Sequence, residues 1–226
     1  MADHGKKYAE ARKSVDAMKA YSLEEGIALL KKVNYAKFDA TVNIAIKTNA
    51  NPKYNDQMIR STTILPNGTG KTKKVAVFIG DDRIAEAKKA GADIAGSENL
   101  LQAIKAGKFD FDVLITTPDH IRDLAPVAKA LGPKGLMPSP KAGTVAVDIE
   151  QAIKEVKLGK VEFRLDKTGN IHLGVGKISF DNKKLIENIQ ALMKSIEESK
   201  PAGVKGKLIK KVVISSTMSP AIMLDY

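Results

Sequence analysis

Apolar positions follow two patterns that are segregated along the chain. From Phe38 to Ile46 they alternate strictly, with Phe38, Ala40, Val42, Ile44 and Ile46 on one face, as in a half-buried strand. Val161, Phe163 and Leu165 repeat the alternation, as do Ile171, Leu173 and Val175, and Val212–Ile214 gives a last strand. Two helices accompany these strands. Ser22-Leu-Glu-Glu25 has the form of a capping box and opens a helix through Ile27, Leu30 and Val33. Asp181 starts an amphipathic helix carrying Leu185, Ile186, Ile189, Leu192, Met193 and Ile196. Alternating strands with helices on one side predict an α+β sandwich.

The middle of the chain reads differently. Val75–Ile79 is a continuous apolar run, a strand buried on both faces, followed by Gly80 and a helical stretch over Arg83–Ala90. Asp112–Ile115 is a second such run, ending at Thr116-Thr-Pro-Asp119 before an amphipathic stretch to Leu131. Asp148 is placed to cap a helix through Ile149, Ile153 and Val156 that closes at Gly159. Strands alternating with helices predict a small parallel sheet covered on both faces, a Rossmann-like α/β domain. The fold class is therefore a discontinuous α+β sandwich domain, residues 1–67 and 160–226, with an inserted α/β domain, residues 68–159. The tethers at Pro66–Lys71 and around Gly159 form a hinge, with Pro66, Gly68, Gly70 and Gly159 as its residues.

Charge sharpens this division. The formal net charge is +11, which draws polyanions, nucleic acid first and an anionic membrane surface second. Residues 1–67 hold 11 Lys+Arg against 7 Asp+Glu, residues 68–159 hold 14 against 12, and residues 160–226 hold 12 against 7. The net charges are +4, +2 and +5, so the two ends carry most of the excess and the middle is nearly balanced. No apolar run approaches the length of a membrane span, and the start, MADHGKKYAEARK, is polar rather than a signal peptide. The chain has no cysteine, which excludes disulfides and thiolate chemistry and fits a reducing cytoplasm.

Motifs with chemical meaning fail on inspection. Asn67-Gly-Thr-Gly-Lys-Thr72 resembles a phosphate-binding loop, but Leu65 stands where its first glycine belongs. A strand pattern, not a helix, follows the lysine, so the segment is read as a linker. Gly174-Val-Gly-Lys177 fails in the same way. His4, His120 and His172 have no metal-ligand spacing, although His172 falls on the polar face of its strand, within reach of a ligand. Asp81-Asp82 are read as helix-capping residues in preference to a cation site. No nucleophile elbow or other catalytic constellation is present, and no metal or cofactor is expected. Aromatic residues are only 5% of the chain, too few for a single-strand stacking platform, so folded RNA read by shape, phosphates and 2′-hydroxyls suits the basic surface better.

Several segments, in order along the chain, resemble the L-one family of large-subunit ribosomal proteins. They are Lys37-Phe-Asp-Ala-Thr-Val42, Leu65-Pro-Asn-Gly68 with Gly70-Lys71, and the long run Leu131-Gly-Pro-Lys-Gly-Leu-Met-Pro-Ser-Pro-Lys-Ala-Gly-Thr-Val145. Glu162-Phe-Arg164, Lys167-Thr-Gly-Asn-Ile-His172 and Ser216-Thr-Met218 complete the set. The resemblance implies a stalk protein with no enzymatic activity, whose split domain binds large-subunit rRNA. It further implies a part in releasing tRNA from the exit site and repression of its own operon through the mRNA. The expected protein is cytoplasmic and ribosome-associated, a monomer when free, with no membrane partner. The alternative is a nucleotide-binding switch or enzyme using the inserted domain.

Carried over by position, the RNA contact falls on Phe38, Thr41, Thr217 and Met218, with Lys37, Arg164, Lys167, Thr168, His172, Ser216 and Ser219 around it. Ser219 replaces the family's usual glycine. Its Cβ would crowd a close backbone approach to ribose, or its hydroxyl would donate to it. Without the resemblance, Phe38 reads as a core residue of its strand.

Overall fold

The structure, a computed structural model, describes residues 5–107 and 109–226 except the side chain of Asp81, so His4 lies outside the described residues. The chain forms two compact units. One consists of the residues up to Gly70 together with Val161–Tyr226, and the other is Lys71–Lys160. Before the insertion come α1 (Lys6–Lys13), α2 (Leu23–Val33), β1 (Thr41–Thr48) and β2 (Arg60–Ile64). The insertion contributes β3 (Val75–Phe78), α3 (Ile84–Lys89), β4 (Ile94–Gly96), α4 (Glu98–Lys105), β5 (Val113–Thr116), α5 (Ala128–Leu131) and α6 (Ile149–Leu158). The return supplies β6 (Lys160–Arg164), β7 (Asn170–Lys177), α7 (Asn182–Glu198), β8 (Ile209–Ser216) and β9 (Ile222–Leu224).

In the split unit, the four-stranded sheet runs β7-β1-β8-β9, all neighbours antiparallel. One face is apolar because each strand alternates. Val42, Ile44, Ile46, Ile171, Val212 and Ile214 join Ile27 and Leu30 of α2 and Leu185, Ile189, Leu192 and Ile196 of α7 in one core. Each fully buried Leu or Ile contributes about 1.5–3 kcal/mol. Ser22 caps α2 through its hydroxyl, which accepts from the Glu25 amide at 3.3 Å. The first strand is shorter than the alternation predicts. It starts at Thr41, and the chain bends at Lys37 and Phe38, so Phe38 is 53% exposed rather than part of the core.

A second, two-stranded sheet pairs β2 with β6. These are the last strand before the insertion and the first after it, so the chain leaves and re-enters the split unit on paired strands. The Leu165 amide donates to Ile59 O at 2.9 Å and continues that pairing.

The inserted unit is a parallel sheet ordered β4-β3-β5. The unbroken burial of β3 has a simple cause, since both faces of the sheet are covered. Val75, Val77 and Ile79 pack with Ala87, Ile153 and Val156, while Ala76 and Phe78 pack with Leu100, Ile104, Leu124 and Leu131. Asp148 caps α6 by accepting from the Gln151 amide at 3.1 Å, and Gly159 ends it at φ 108°, a left-handed conformation that a Cβ disfavours.

One buried polar residue fixes the first tether. Asn188 of α7 is fully buried, donates through Nδ2 to Gly68 O at 2.9 Å and Val175 O at 2.8 Å, and accepts from the Asn67 amide at 3.0 Å. The Asn67 side chain in turn donates to Glu187 at 2.7 Å. Asn67 and Gly68 are therefore anchored to the split unit.

Candidate nucleic-acid interface

Helices α2 and α7 cover one face of the four-stranded sheet, and the register defines what the other face presents. Residues paired across antiparallel strands point the same way. Thr41 pairs with Lys177, and Asn43 lies between Gly174 and Ser215. Ala45 lies between His172 and Val213, which pairs on with Met223, and Lys47 lies between Asn170 and Lys211. None of these residues is buried, and apart from His172 they carry no ring. The result is a face of mostly small or polar side chains, with Val213 and Met223 in its middle row, ending in a basic row.

Two loops border it. At the Thr41 end lies the connection from β8 to β9, where Thr217 is exposed and Met218 is 47% exposed. The Thr41 amide donates to the Thr217 hydroxyl at 3.1 Å, joining this loop to β1. Lys37 and Phe38, both exposed, stand on the segment that leads into the same end of β1. At the Lys47 end lies the turn between β6 and β7, carrying Lys167 and Thr168. Asp166 organises it, accepting from the Asn170 amide at 2.7 Å and from the Thr168 amide and hydroxyl at 2.8 Å. These donors, the Asn170 amide foremost, hold the Asp166 carboxyl at about 2, below its usual 3.8. Lys47 Nζ donates to Thr168 O at 2.7 Å, and His172 Nε2 lies 3.6 Å from Asp166.

The sequence-predicted residues thus fall into two groups on one face. Thr41, Thr217 and Met218 mark one end, and Lys167, Thr168 and His172 the other. Six residue-to-residue steps along β1 separate Thr41 from Lys47, roughly 20 Å at ~3.4 Å per step. A ligand touching both ends must be extended, which favours a polyanion over a mononucleotide. Arg164 is exposed on β6 and belongs to none of the rows. Ser216 is buried, and its hydroxyl donates to Asn34 at 3.0 Å. Asn43, Lys47, Lys177, Lys211 and Ser215 were not singled out from sequence. Their signal was available as the outward half of the same alternation that revealed the core.

The electrostatics separate the two units more sharply than formal charge does. Among the described residues, Lys74–Asp110, Arg83–Glu86, Lys154–Glu150 and Lys160–Glu155 pair within the inserted unit. Among the described residues of the split unit the only Lys or Arg so paired is Arg60, with Glu162. Lys47 and Lys211 face each other across β1 and β8, a like-charge pairing that costs the free protein stability. An anionic ligand would turn that cost into attraction.

Elsewhere, the segment Asn67–Thr72 leads into strand β3 and opens no helix. His120 lies beside Asp123, 3.1 Å from its carboxylate, and edge-on to Phe78. Among the described residues no three His, Asp or Glu side chains are grouped to hold a metal ion. No described helix is long and apolar enough to cross a membrane.

The model of the ribosomal protein L1p/L10e family matches residues 30–220, which include strands β1, β7 and β8 of this face and Lys167, Thr168, Thr217 and Met218 of its two loops. The chain belongs to that family. It is also similar to the large ribosomal subunit protein uL1 of Thermosipho africanus (strain TCF52B), with 55% identity over 226 residues, covering 100% of this chain and 97% of that protein. As an L1p/L10e family member, the chain has a matched region that runs through the insertion and takes in both crossings of the split unit.

Proposed function

We propose that this protein is a component of the large ribosomal subunit that binds rRNA directly through the outward face of its four-stranded sheet, and that it is not an enzyme. The observation that carries the reading is the uncovered face itself. Mostly small or polar side chains lie between two loops about 20 Å apart, and at one end Lys47 and Lys211 stand opposed without an acidic partner among the described residues. Phosphates would be met by Lys47, Lys211, Lys37 and Lys167, which supply sequence-independent attraction. Thr41, Thr217, Asn43 and Ser215 offer hydroxyl and amide groups for riboses and base edges, and Phe38 and Met218 offer apolar surface. The same face would take a similar fold in the mRNA of the protein's own operon, which is the basis for a repressor role. Family membership supports extending the reading to a part in releasing tRNA from the exit site, to a ribosome-bound, cytoplasmic location and to a monomeric free state.

The test is a titration of full-length protein with large-subunit rRNA fragments, an unrelated duplex of equal length, and the leader mRNA of its operon, at several salt concentrations. Preference for one rRNA fragment and for the leader over the duplex is expected, together with co-sedimentation with large subunits. Equal affinity for all three RNAs would refute the reading. A melting-temperature rise with ATP or GTP would instead favour a nucleotide-binding switch.

A further inference from the structure

Between the end of β8 at Ser216 and the start of β9 at Ile222, the chain has no strand partner to define its shape. Side chains supply that definition. Ser219 Oγ accepts from the Ser216 amide at 2.8 Å and donates to Pro220 O at 3.1 Å, while the Ser219 amide reaches Ser216 O at 3.3 Å. The hydroxyl is thereby committed within the loop and is not free to donate to a ribose. Nor is the backbone strained, since among the described residues no position other than glycine has positive φ. Two residues just after α2 complete the anchoring. The Tyr35 hydroxyl donates to Met218 O at 2.8 Å, and Asn34 Oδ1 accepts from the Ser216 hydroxyl at 3.0 Å. Lys37 and Phe38 follow on the same segment, so one set of hydrogen bonds fixes both halves of the exposed cluster.

We infer that Tyr35, Asn34 and Ser219 are positioning residues, which hold the Ser216–Ser219 loop so that Thr217 and Met218 are presented to RNA in a single shape. The inference rests on the RNA-binding reading of the face. Its physical basis is that a loop ordered during folding does not have to be ordered on binding, so affinity rises without any new contact. Ser219 thus acts as a hydrogen-bonded brace within the loop.

The experiment compares the full-length parent with Tyr35→Phe, Ser219→Ala and Ser219→Thr. Each is titrated with the preferred rRNA fragment and with the unrelated duplex, and thermal melting is recorded in parallel. Tyr35→Phe and Ser219→Ala should each weaken the rRNA complex about five-fold, the worth of one typical hydrogen bond, chiefly through faster dissociation. Affinity for the duplex and the salt slope should match the parent, and Ser219→Thr, which keeps the hydroxyl, should bind within about two-fold of it. Equal losses on both RNAs would mean a general structural effect and would overturn the inference. So would parental discrimination that survives unchanged in both Tyr35→Phe and Ser219→Ala. A parent that does not discriminate the two RNAs overturns the reading of the whole face, and this inference with it.

Discussion

Replacing Lys211 should make the protein more stable and a weaker RNA binder at the same time. Lys211 is exposed on β8, directly opposite Lys47 on β1, and has no ion-pair partner among the described residues. Lys211→Gln removes the like-charge pairing, and Lys211→Glu replaces it with an opposite-charge one. Cross-strand pairs of this kind are worth roughly 0.2–1 kcal/mol, so unfolding should become harder by a few tenths for Gln and somewhat more for Glu. Binding moves the other way. A phosphate contact contributes about 0.7–0.9 to the slope of log affinity against log salt, so Lys211→Gln should lower that slope by nearly one unit. Across the decade from 1 M to 0.1 M salt, this amounts to a loss of about five- to eight-fold at the low end and little at the high end. Urea unfolding measures the first effect, and filter binding across a salt series measures the second. A slope equal to the parent's would show that the Lys47–Lys211 row lies outside the RNA interface. A fall in stability would show that the two lysines do not oppose each other as the register requires.

Three further outcomes are expected. Replacing Lys71–Lys160 by a short Gly/Ser bridge should leave a folded split unit that binds the rRNA fragment within a few-fold of the full chain, because β2 and β6 already bring the two ends together; a cooperatively melting product with no binding would refute that assignment. Asn188→Leu should cost about 2–4 kcal/mol in chemical denaturation, since two carbonyls and one amide lose their partner at a fully buried site, and a loss under about 0.5 kcal/mol would refute the anchoring role. Asp166 titrates lower in the folded chain, at about 2, than its usual 3.8, so its ionised form stabilises the fold above about pH 4, and that contribution disappears as pH falls towards 2. Asp166→Asn should therefore flatten the stability profile over that interval, and a profile parallel to the parent's would count against the turn's hydrogen bonds.

The interrupted architecture was legible in the chain itself. A strand covered on one face must alternate and a strand covered on both must not, so Val42–Ile46 and Val75–Ile79 declared their different settings before any contact was known. Ser22 and Asp148 likewise announced their helices, because a cap is a local interaction within one turn. Short elements escaped. β4 has three residues and α4 only eight, too few for a period to stand out, and both take their form from packing against β3 and its neighbours. Alternation alone would put Phe38 in the core, whereas the resemblance gave it as a contact residue, because alternation does not reveal where a chain bends away from its sheet. The candidate interface depended most on tertiary structure. The family resemblance indicated Thr217, Met218 and Lys167, but nothing local brings residue 41 beside residue 217, or Lys47 opposite Lys211. Those meetings are set by strand order and register across more than a hundred residues of separation. The same holds for Tyr35 on Met218 O and Asn188 on Gly68 O, hydrogen bonds whose partners only the folded sheet and helices bring together.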